Sequence, residues 1–432
     1  MIRRVRIQGY KSLKDVNIEL EPLTIVIGPN AAGKSNLLDA LGLLSRMVTS
    51  KTLNEAFGEH RGAPLEAFYY GDKGLEGLLT QDTAQFTITV DVELSDEVVD
   101  AVEQRIRQMR EGLPEKKGTR GKIRRRVVQR SLRYSLTVQM RIKAGYLRVL
   151  DESLVALNRD GSVLKRPRPF VEKVEDRLRL RMEGQARPTE HAVGLDYTLV
   201  STSLYPPHYP HVTAFKEELS RWRFYYVEPK SMRAESALKE IDSVGAYGSD
   251  LAAFCNTLKA RSPRQFEALS RSLRVLVPDL DGLDLTITGE GFVQLRILEG
   301  GIPFSARIVS EGTLRILGLL AITVPLSGTT VIGYEEPENG VHARRLKLIA
   351  ALLENAAAYG KQIIVNTHSS LLTEYFVDGL LLICRKEQRS THFTPEDLPL
   401  LWRPAVEQAL DETIDEGMTP LMERIVRGDF GG

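Results

Sequence analysis

Lys34 and Ser35 close the run Gly28-Pro29-Asn30-Ala31-Ala32-Gly33-Lys34-Ser35. These residue types at this spacing suit one task, the holding of phosphate groups. Gly28 and Gly33 let the backbone curl so that its N–H groups converge on anionic oxygens. The Lys34 ammonium reaches the β- and γ-phosphates of a nucleotide, and the Ser35 hydroxyl enters the shell of a Mg²⁺ ion. Asn30, Gly33, Lys34, Ser35 and Asn36 are therefore the candidate nucleotide contacts. A second cluster, Glu335-Glu336-Pro337-Glu338-Asn339, supplies carboxylates. Glu335 is assigned to the metal. Glu336 is assigned to the attacking water as its proton acceptor, a role that contributes about 10²–10⁴-fold to a rate. His368, in Asn366-Thr367-His368-Ser369, can hydrogen-bond a γ-phosphate and report its presence. Ser310, Glu311 and Gly312 open an apolar helix. Ser310 is a good N-cap, and the helix end is a second place where an anion can dock. An acidic turn, a structural histidine or a capped helix would each look the same alone; their order along one chain is what argues for a site.

The elements that position these residues follow from local pattern. Thr24-Ile25-Val26-Ile27 is apolar and mostly β-branched, a buried strand ahead of the phosphate loop. Leu37, Leu38, Leu41, Leu44 and Met47 lie at helical spacing behind it. Thr330 to Tyr334 is a second buried strand, ending in the carboxylates, and Ile363-Ile364-Val365 a third, ending in Thr367-His368. Strand, glycine-rich loop and helix is the context the phosphate motif needs. The last third reads as α/β, with helices near 311–325, 342–358 and 369–377 and strands at 330–334, 362–366 and 379–384. Ahead of the loop, Ile2, Val5, Ile7 and Val16, Ile18, Leu20 suggest paired strands. Residues 84–94 and 132–150 read as further strands. Helical patterns return at 211–222, 249–260 and 263–276, and strands at 284–288 and 292–298. Residues 151–220, broken by Pro167, Pro169, Pro188, Pro206, Pro207 and Pro210, read as irregular.

Among 432 residues, 58 Lys or Arg against 57 Asp or Glu leave no global charge to suggest a partner. Local charge does suggest one. From Arg105 to Arg133 there are 12 Lys or Arg against 2 Asp or Glu. Arg124, Arg125 and Arg126 sit at the centre of this stretch, and clustered cations bind phosphate backbones without sequence preference. A solvated loop or a protein-binding surface would carry the same composition. The two cysteines, Cys255 and Cys384, indicate neither a metal site nor a disulfide framework, as in a reducing cytosol. No signal-peptide core is present, and the longest apolar run, Leu317 to Leu326, is too short to span a bilayer. A cytoplasmic protein with no membrane partner is expected.

The motifs resemble the ABC-type ATPase heads of the SMC, RecF and OLD group. The matching pieces are Gly-Tyr-Lys-Ser-Leu at 9–13, the loop at 28–35, Ser-Glu-Gly-Thr at 310–313, Glu-Glu-Pro-Glu-Asn-Gly-Val-His at 335–342 and Asn-Thr-His-Ser at 366–369. The resemblance implies a P-loop NTPase head of α/β class, with an antiparallel β subdomain and an inserted, partly helical, basic middle region. It divides the chain into residues 1–94, 95–225 and 226–432, the first and last forming the head. It implies ATP and Mg²⁺ as cofactors, Ser35 and Glu335 as metal contacts, and Glu336 and His368 as catalytic residues. Ser310, Glu311 and Gly312 become the signature that completes a second subunit's nucleotide site, in a homodimer or higher oligomer. Glu335 stands where aspartate is commoner, and Gln81 and Gln85 are the candidates for a glutamine-loop residue.

The interval between loop and signature is too short and proline-rich for a long coiled coil. The 64 residues after His368 are too few for a Toprim nuclease, and the acidic stretch 411–416 has no metal-site register. The resemblance thus implies a sensor or motor acting in phage defence with a separate nuclease or toxin. Two alternatives stand beside it: a RecF-like repair or loading ATPase, and a weakly hydrolysing scaffold that holds an effector inactive.

Overall fold

The computed structural model describes residues 1–71, 73–111, 125–185, 187–324 and 328–397. Among them the strands, in chain order, are β1 (Ile2–Tyr10), β2 (Leu13–Glu19), β3 (Leu23–Ile27), β4 (Thr83–Glu93), β5 (Ser131–Arg141), β6 (Tyr146–Ala156), β7 (Val171–Val174), β8 (Arg177–Leu180), β9 (Thr189–Ala192), β10 (Trp222–Tyr225), β11 (Ser236–Ala237), β12 (Gly282–Ile287), β13 (Phe292–Glu299), β14 (Ile302–Ser305), β15 (Val331–Glu335), β16 (Gln362–Thr367), β17 (Leu380–Glu387) and β18 (Ser390–Asp397). The helices are α1 (Lys34–Thr49), α2 (Leu53–Gly58), α3 (Gly74–Leu79), α4 (Asp96–Glu111), α5 (Pro210–Ser220), α6 (Pro229–Met232), α7 (Leu251–Arg261), α8 (Pro263–Leu276), α9 (Glu311–Thr323), α10 (Leu346–Ala358) and α11 (Ser370–Glu374). They gather into two units. The first holds residues 1–21, 31–222 and 384–393, and the second holds 22–30, 223–383 and the described residues from 394 on. The chain passes from one to the other inside the phosphate loop, between Asn30 and Ala31.

The first unit is built on an eight-stranded antiparallel sheet in the order β2-β1-β4-β5-β6-β7-β8-β9. Its strands alternate. Leu132, Tyr134, Leu136 and Val138 on β5 are buried, while Thr137 and Ser135 bond Thr87 and Thr89 of β4 at 2.9 and 2.8 Å on the opposite face. This is the two-faced pattern of an antiparallel sheet, legible as alternation. Glu152 points to the buried face. Tyr134 Oη and the Val200 N–H donate to its Oε1 at 2.9 and 3.1 Å, and the Leu199 N–H donates to its Oε2 at 2.6 Å. Burial pushes its carboxyl up to about 7, against the pull of those donors.

The second unit holds the parallel core. Strand order is β10-β15-β16-β3-β17-β18. β15, β16 and β3 run parallel, with Tyr334 opposite Val365 and Val365 opposite Ile25. All three are largely buried on both faces, which is why each carries a short apolar run, such as Ile25–Ile27 and Ile363–Val365. Ile363, Ile364 and Val365 are 0 % exposed, and each such side chain contributes about 1.5–3 kcal/mol. α9 and α10 pack into the same core through Leu314, Leu317 and Leu353. A small antiparallel group, β11-β13-β12 with β14 on β13, completes the unit.

The segment read as irregular, 151–220, contains the end of β6 and all of β7, β8 and β9. These last are four residues long and charged, Val-Glu-Lys-Val, Arg-Leu-Arg-Leu and Thr-Glu-His-Ala, so their alternation is too brief to stand out. Pro167, Pro169 and Pro188 lie in the connections between strands. The front of the basic stretch is helical, as α4, with Val98, Val99, Val102 and Ile106 buried. Lys116, Lys117, Arg120, Lys122, Arg124 and the acidic stretch 411–416 lie outside the described residues.

Candidate functional site

The phosphate loop leaves the carboxyl end of β3, and α1 begins at Lys34. Gly33 caps α1 in the left-handed region at φ 104° and supplies no capping side chain. A Cβ on Gly33 would lie 2.0 Å from Thr391 Oγ1 and 2.7 Å from Ser12 Oγ, so only glycine fits. Those two hydroxyls brace the loop from beneath. Ser12 Oγ lies 2.6 Å from Thr391 Oγ1, Thr391 Oγ1 donates to the Ala32 carbonyl at 2.8 Å, and Asn36 Nδ2 donates to Ser12 Oγ at 2.7 Å. Asn36, a candidate nucleotide contact by sequence, thus ties α1 to Ser12. Lys34 is buried, Ser35 half-buried and Asn30 exposed. Thr391 carried no sequence signal, being 379 residues from Ser12.

Beside this brace is a pocket of about 250 Å³ lined by Lys11, Ser12, Tyr69, Tyr70, Lys386 and Arg389. Lys11 is positioned by the buried Asp39 of α1, to which its ammonium donates. Tyr10 Oη donates to the same Asp39 oxygen at 2.7 Å, and His60 Nε2 lies 3.4 Å from it. Burial opposes ionisation of Asp39, but the hydrogen bond with His60 and the charge of Lys11 hold its carboxyl well below the usual range. Arg389 donates to the Gly71 carbonyl at 3.1 Å.

The second unit brings three sequence-predicted groups to the tips of adjacent parallel strands. β3 ends where Gly28 begins, β15 ends in Glu335, and β16 ends in Thr367, which pairs in register with Ile27. Ligands of open α/β sheets bind at such carboxyl ends. Glu336 sits just past β15 at φ 47°, a strained backbone for a non-glycine residue and one found at functional sites. Its N–H donates to the Asn366 carbonyl at 2.8 Å. Its carboxylate is held on both sides, by Asn339 Nδ2 at 2.5 Å and by His368 Nδ1 at 3.3 Å. Glu336 and His368 therefore form one contact rather than two separate points.

Sequence reasoning missed Glu338. Its buried Oε1 accepts from Thr367 Oγ1 at 2.5 Å and from the His368 N–H at 3.3 Å, fixing the tip of β16 under the histidine. The residue type was visible in the acidic run, but nothing local distinguished it from a surface carboxylate.

Ser310 caps α9 as its residue type suggested. Its Oγ accepts from the Thr313 N–H at 3.2 Å, a cap worth about 1 kcal/mol. Glu311 is exposed and 3.7 Å from Arg233. Gly312 faces the turn after Glu338: a Cβ there would meet the Gly340 carbonyl oxygen at 2.7 Å. The signature and the carboxylate loop thus touch within the second unit. Gln81 and Gln85 are exposed. Arg125 is exposed and lies 3.6 Å from Asp100, while the Arg126 and Val127 N–H groups donate to Glu103 Oε1 at 2.5 and 2.8 Å. Among the described residues no cluster of three His, Cys, Asp or Glu could hold a metal alone. A cation here would need phosphate and hydroxyl oxygens besides Glu335, the habit of Mg²⁺. Among the same residues no helix is long and apolar enough to cross a membrane.

Comparison with known proteins points to the same fold. Residues 159–374 match the family model described as "AAA domain, putative AbiEii toxin, Type IV TA system", and residues 1–153 match the model of an AAA ATPase domain. An OLD nuclease from Thermus scotoductus is 39 % identical over 44 residues, 10 % of this chain and 8 % of that protein. A DNA replication and repair protein RecF from Corynebacterium jeikeium is 32 % identical over 62 residues, 14 % of this chain and 15 % of that protein. The chain thus matches only a small part of either relative. Among solved structures, an SMC head bound to the C-terminal winged-helix domain of ScpA matches 93 % of this chain and 99 % of that chain, with TM-score 0.53 and 13 % identity. An SMC head from Pyrococcus furiosus with an extended coiled coil, bound to the C-terminal domain of ScpA, matches 96 % and 99 %, with TM-score 0.50 and 12 % identity. These likenesses give the fold.

Proposed function

This chain belongs to the AAA-domain family whose model matches its residues 159–374, as an ATPase head of the SMC, RecF and OLD kind, and we propose that it is a Mg²⁺-dependent head that pairs through bound ATP and signals to a separate effector. The observation that carries the reading is the Glu336–His368 contact, at 3.3 Å, on strand tips next to the start of the phosphate loop. Bound Mg²⁺–ATP supplies the scissile phosphoanhydride and a cation that neutralises its oxygens. Gly33, Lys34, Ser35 and the loop N–H groups hold the phosphates, with Asn30 at the loop's exposed edge and Asn36 bracing α1. Ser35 and Glu335 are the side chains that suit the cation. Glu336 accepts the proton of the attacking water. Asn339 and His368 hold that carboxylate in place, and His368 links its position to the phosphate end of the nucleotide. The pocket of Tyr69, Tyr70, Lys11 and Arg389 has the size and polarity for the remainder of a nucleotide.

Ser310, Glu311 and Gly312 present an exposed capped helix end suited to a partner's nucleotide. Mixing tests this. Lys34→Ala protein should neither bind nor hydrolyse ATP, and Ser310→Arg protein should bind ATP without turnover. Verified mixed dimers should recover up to one working site, because each subunit supplies what the other lacks. No recovery in stable mixed dimers overturns the shared site.

The effector reading, with its place in phage defence, rests on the motif resemblance; the matching family description names a putative toxin of a type IV toxin–antitoxin system, and the OLD relative is named a nuclease. The pure chain should hydrolyse ATP yet leave DNA and RNA uncut in Mg²⁺ or Mn²⁺. A nuclease activity lost in a site variant of this same chain would overturn it. The RecF likeness supports a second reading, DNA repair or loading, in which duplex DNA raises the ATPase rate.

A further inference from the structure

Asn366 is 1 % exposed, and both Oδ1 and Nδ2 of its carboxamide lack a hydrogen-bond partner. Its backbone is fully engaged, pairing with Glu335 on one side and Val26 on the other. Burying an amide without partners is unfavourable, and a valine would suit the strand better. Of the groups that follow it in the chain, Thr367 Oγ1 donates to Glu338 and His368 Nδ1 meets Glu336, while Glu335 Oε1 and Glu338 Oε2 at the same strand tips are, like the carboxamide, buried without a hydrogen bond. Register places Glu335, Asn366, Val26 and Leu382 in one row across four parallel strands, their side chains on one face. Within that row the polar members are Glu335 and Asn366, on adjacent strands about 4.8 Å apart. Val26, the third member of the row, lies two residues before Gly28, where the phosphate loop starts.

We propose that Asn366 is a positioning residue for the divalent cation that accompanies the nucleotide, its carboxamide orienting the Glu335 carboxylate and a water on that cation. The inference rests on the reading of Glu335 as the metal-side carboxylate. It explains why a strand otherwise apolar from Ile363 to Val365 carries an amide at a buried position. Asn366 orients groups and takes no part in proton transfer.

The test uses the full chain, a non-hydrolysable ATP analogue and Mn²⁺ as the probe ion, with binding followed by calorimetry and the bound ion by its electron paramagnetic resonance spectrum. Asn366→Val should raise the Mn²⁺ concentration for half-maximal analogue binding at least fivefold and alter the bound-ion spectrum. Analogue affinity in EDTA should stay within twofold of wild type. The thermal midpoint of the nucleotide-free protein should hold or rise, because the substitution removes no partnered group. Asn366→Thr, which keeps a donor and an acceptor on a β-branched frame, should restore part of the Mn²⁺ response and serves if the valine variant does not fold. An Mn²⁺ midpoint within twofold of wild type in both variants overturns the inference, as does a fall in the nucleotide-free thermal midpoint of Asn366→Thr. A shift with Glu335→Gln but none with the Asn366 variants overturns this inference alone. No shift with any of the three overturns the metal reading of Glu335 on which it rests.

Discussion

Glu152 in the first unit and Asn366 in the second are both sealed from solvent, at 0 % and 1 % exposure. Glu152 meets three donors and pins the backbone of Leu199 and Val200 to the antiparallel sheet. Asn366 meets none at its side chain. A buried polar group with all its partners specifies and holds a structure, whereas one without partners costs about 1–3 kcal/mol and needs another reason to be there. The same contrast runs through the two sheets. In the antiparallel sheet, polar side chains pair across strands, as Thr87 does with Thr137 and Asp91 with Arg133 at 2.6 Å. In the parallel sheet β3, β15 and β16 are apolar through most of their length, with Thr24 and Gln362 as buried polar exceptions toward their starts, and the candidate site groups stand at the carboxyl tips. The candidate site proposed for this molecule draws on the second pattern, polar groups at the ends of buried strands.

The largest expected effect lies at such an end. Glu336→Gln should slow ATP hydrolysis by about 10²–10⁴-fold while nucleotide binding persists, measured by phosphate release and calorimetry. If Glu335→Gln instead stops turnover with binding kept, and Glu336→Gln is near wild type, the two carboxylate roles are exchanged. The thermal midpoint should move little, because Asn339 can still bond the amide oxygen.

Glu152→Gln should do the reverse, changing stability with little effect on turnover. The folded carboxyl titrates near 7 against a usual 4.5, so its folded state favours the proton. That contribution is complete below about pH 4.5 and is lost as pH rises through 7, a span on the order of 3 kcal/mol. Glutamine does not titrate. The stability difference between wild type and Glu152→Gln should therefore move in favour of the variant between pH 5 and pH 8.5, read by denaturant melts. A pH-independent difference would break the contrast drawn between the two buried groups.

A smaller, shared effect is expected at Gly312. An alanine Cβ would press on the Gly340 carbonyl at 2.7 Å, a backbone group that cannot swing aside. Gly312→Ala should cost about 1–3 kcal/mol and also lower turnover, since the signature and the Glu336 loop are joined there. Stability loss with full ATPase activity would show that Gly312 serves packing alone.

The smallest effect belongs to the surface of the first unit. Reversing Arg125 and Arg126 to glutamate should leave the fold intact, and reduce the slope of log affinity for duplex DNA against log salt by about one for each phosphate no longer neutralised. Equal slopes would leave those arginines as part of a solvated segment, where Arg125 already has Asp100 at 3.6 Å.

The phosphate loop, the carboxylates after β15, the histidine after β16 and the cap on α9 were all legible without coordinates. Each is a local pattern: residue types within a few positions of an apolar run or a helix start. The buried parallel strands were legible for the same reason, because burial on both faces writes a short run of apolar residues. The antiparallel unit was legible only where strands are long. β4 and β5 alternate over eleven residues each, whereas β7, β8 and β9 are too short and too charged to separate from loop.

The inventory of chemistry, and the strands that end in it, are therefore written in the amino acids alone. Which groups meet was settled by packing. Ser12 and Thr391 brace Gly33 from opposite ends of the chain. Glu338 turns from one more surface acid into the anchor of Thr367, and Asn366 is buried unpaired in the row that holds Glu335. The reason is physical: local patterns follow from backbone geometry within a turn or a strand, whereas a hydrogen bond between residues 379 apart depends on how the intervening chain has packed.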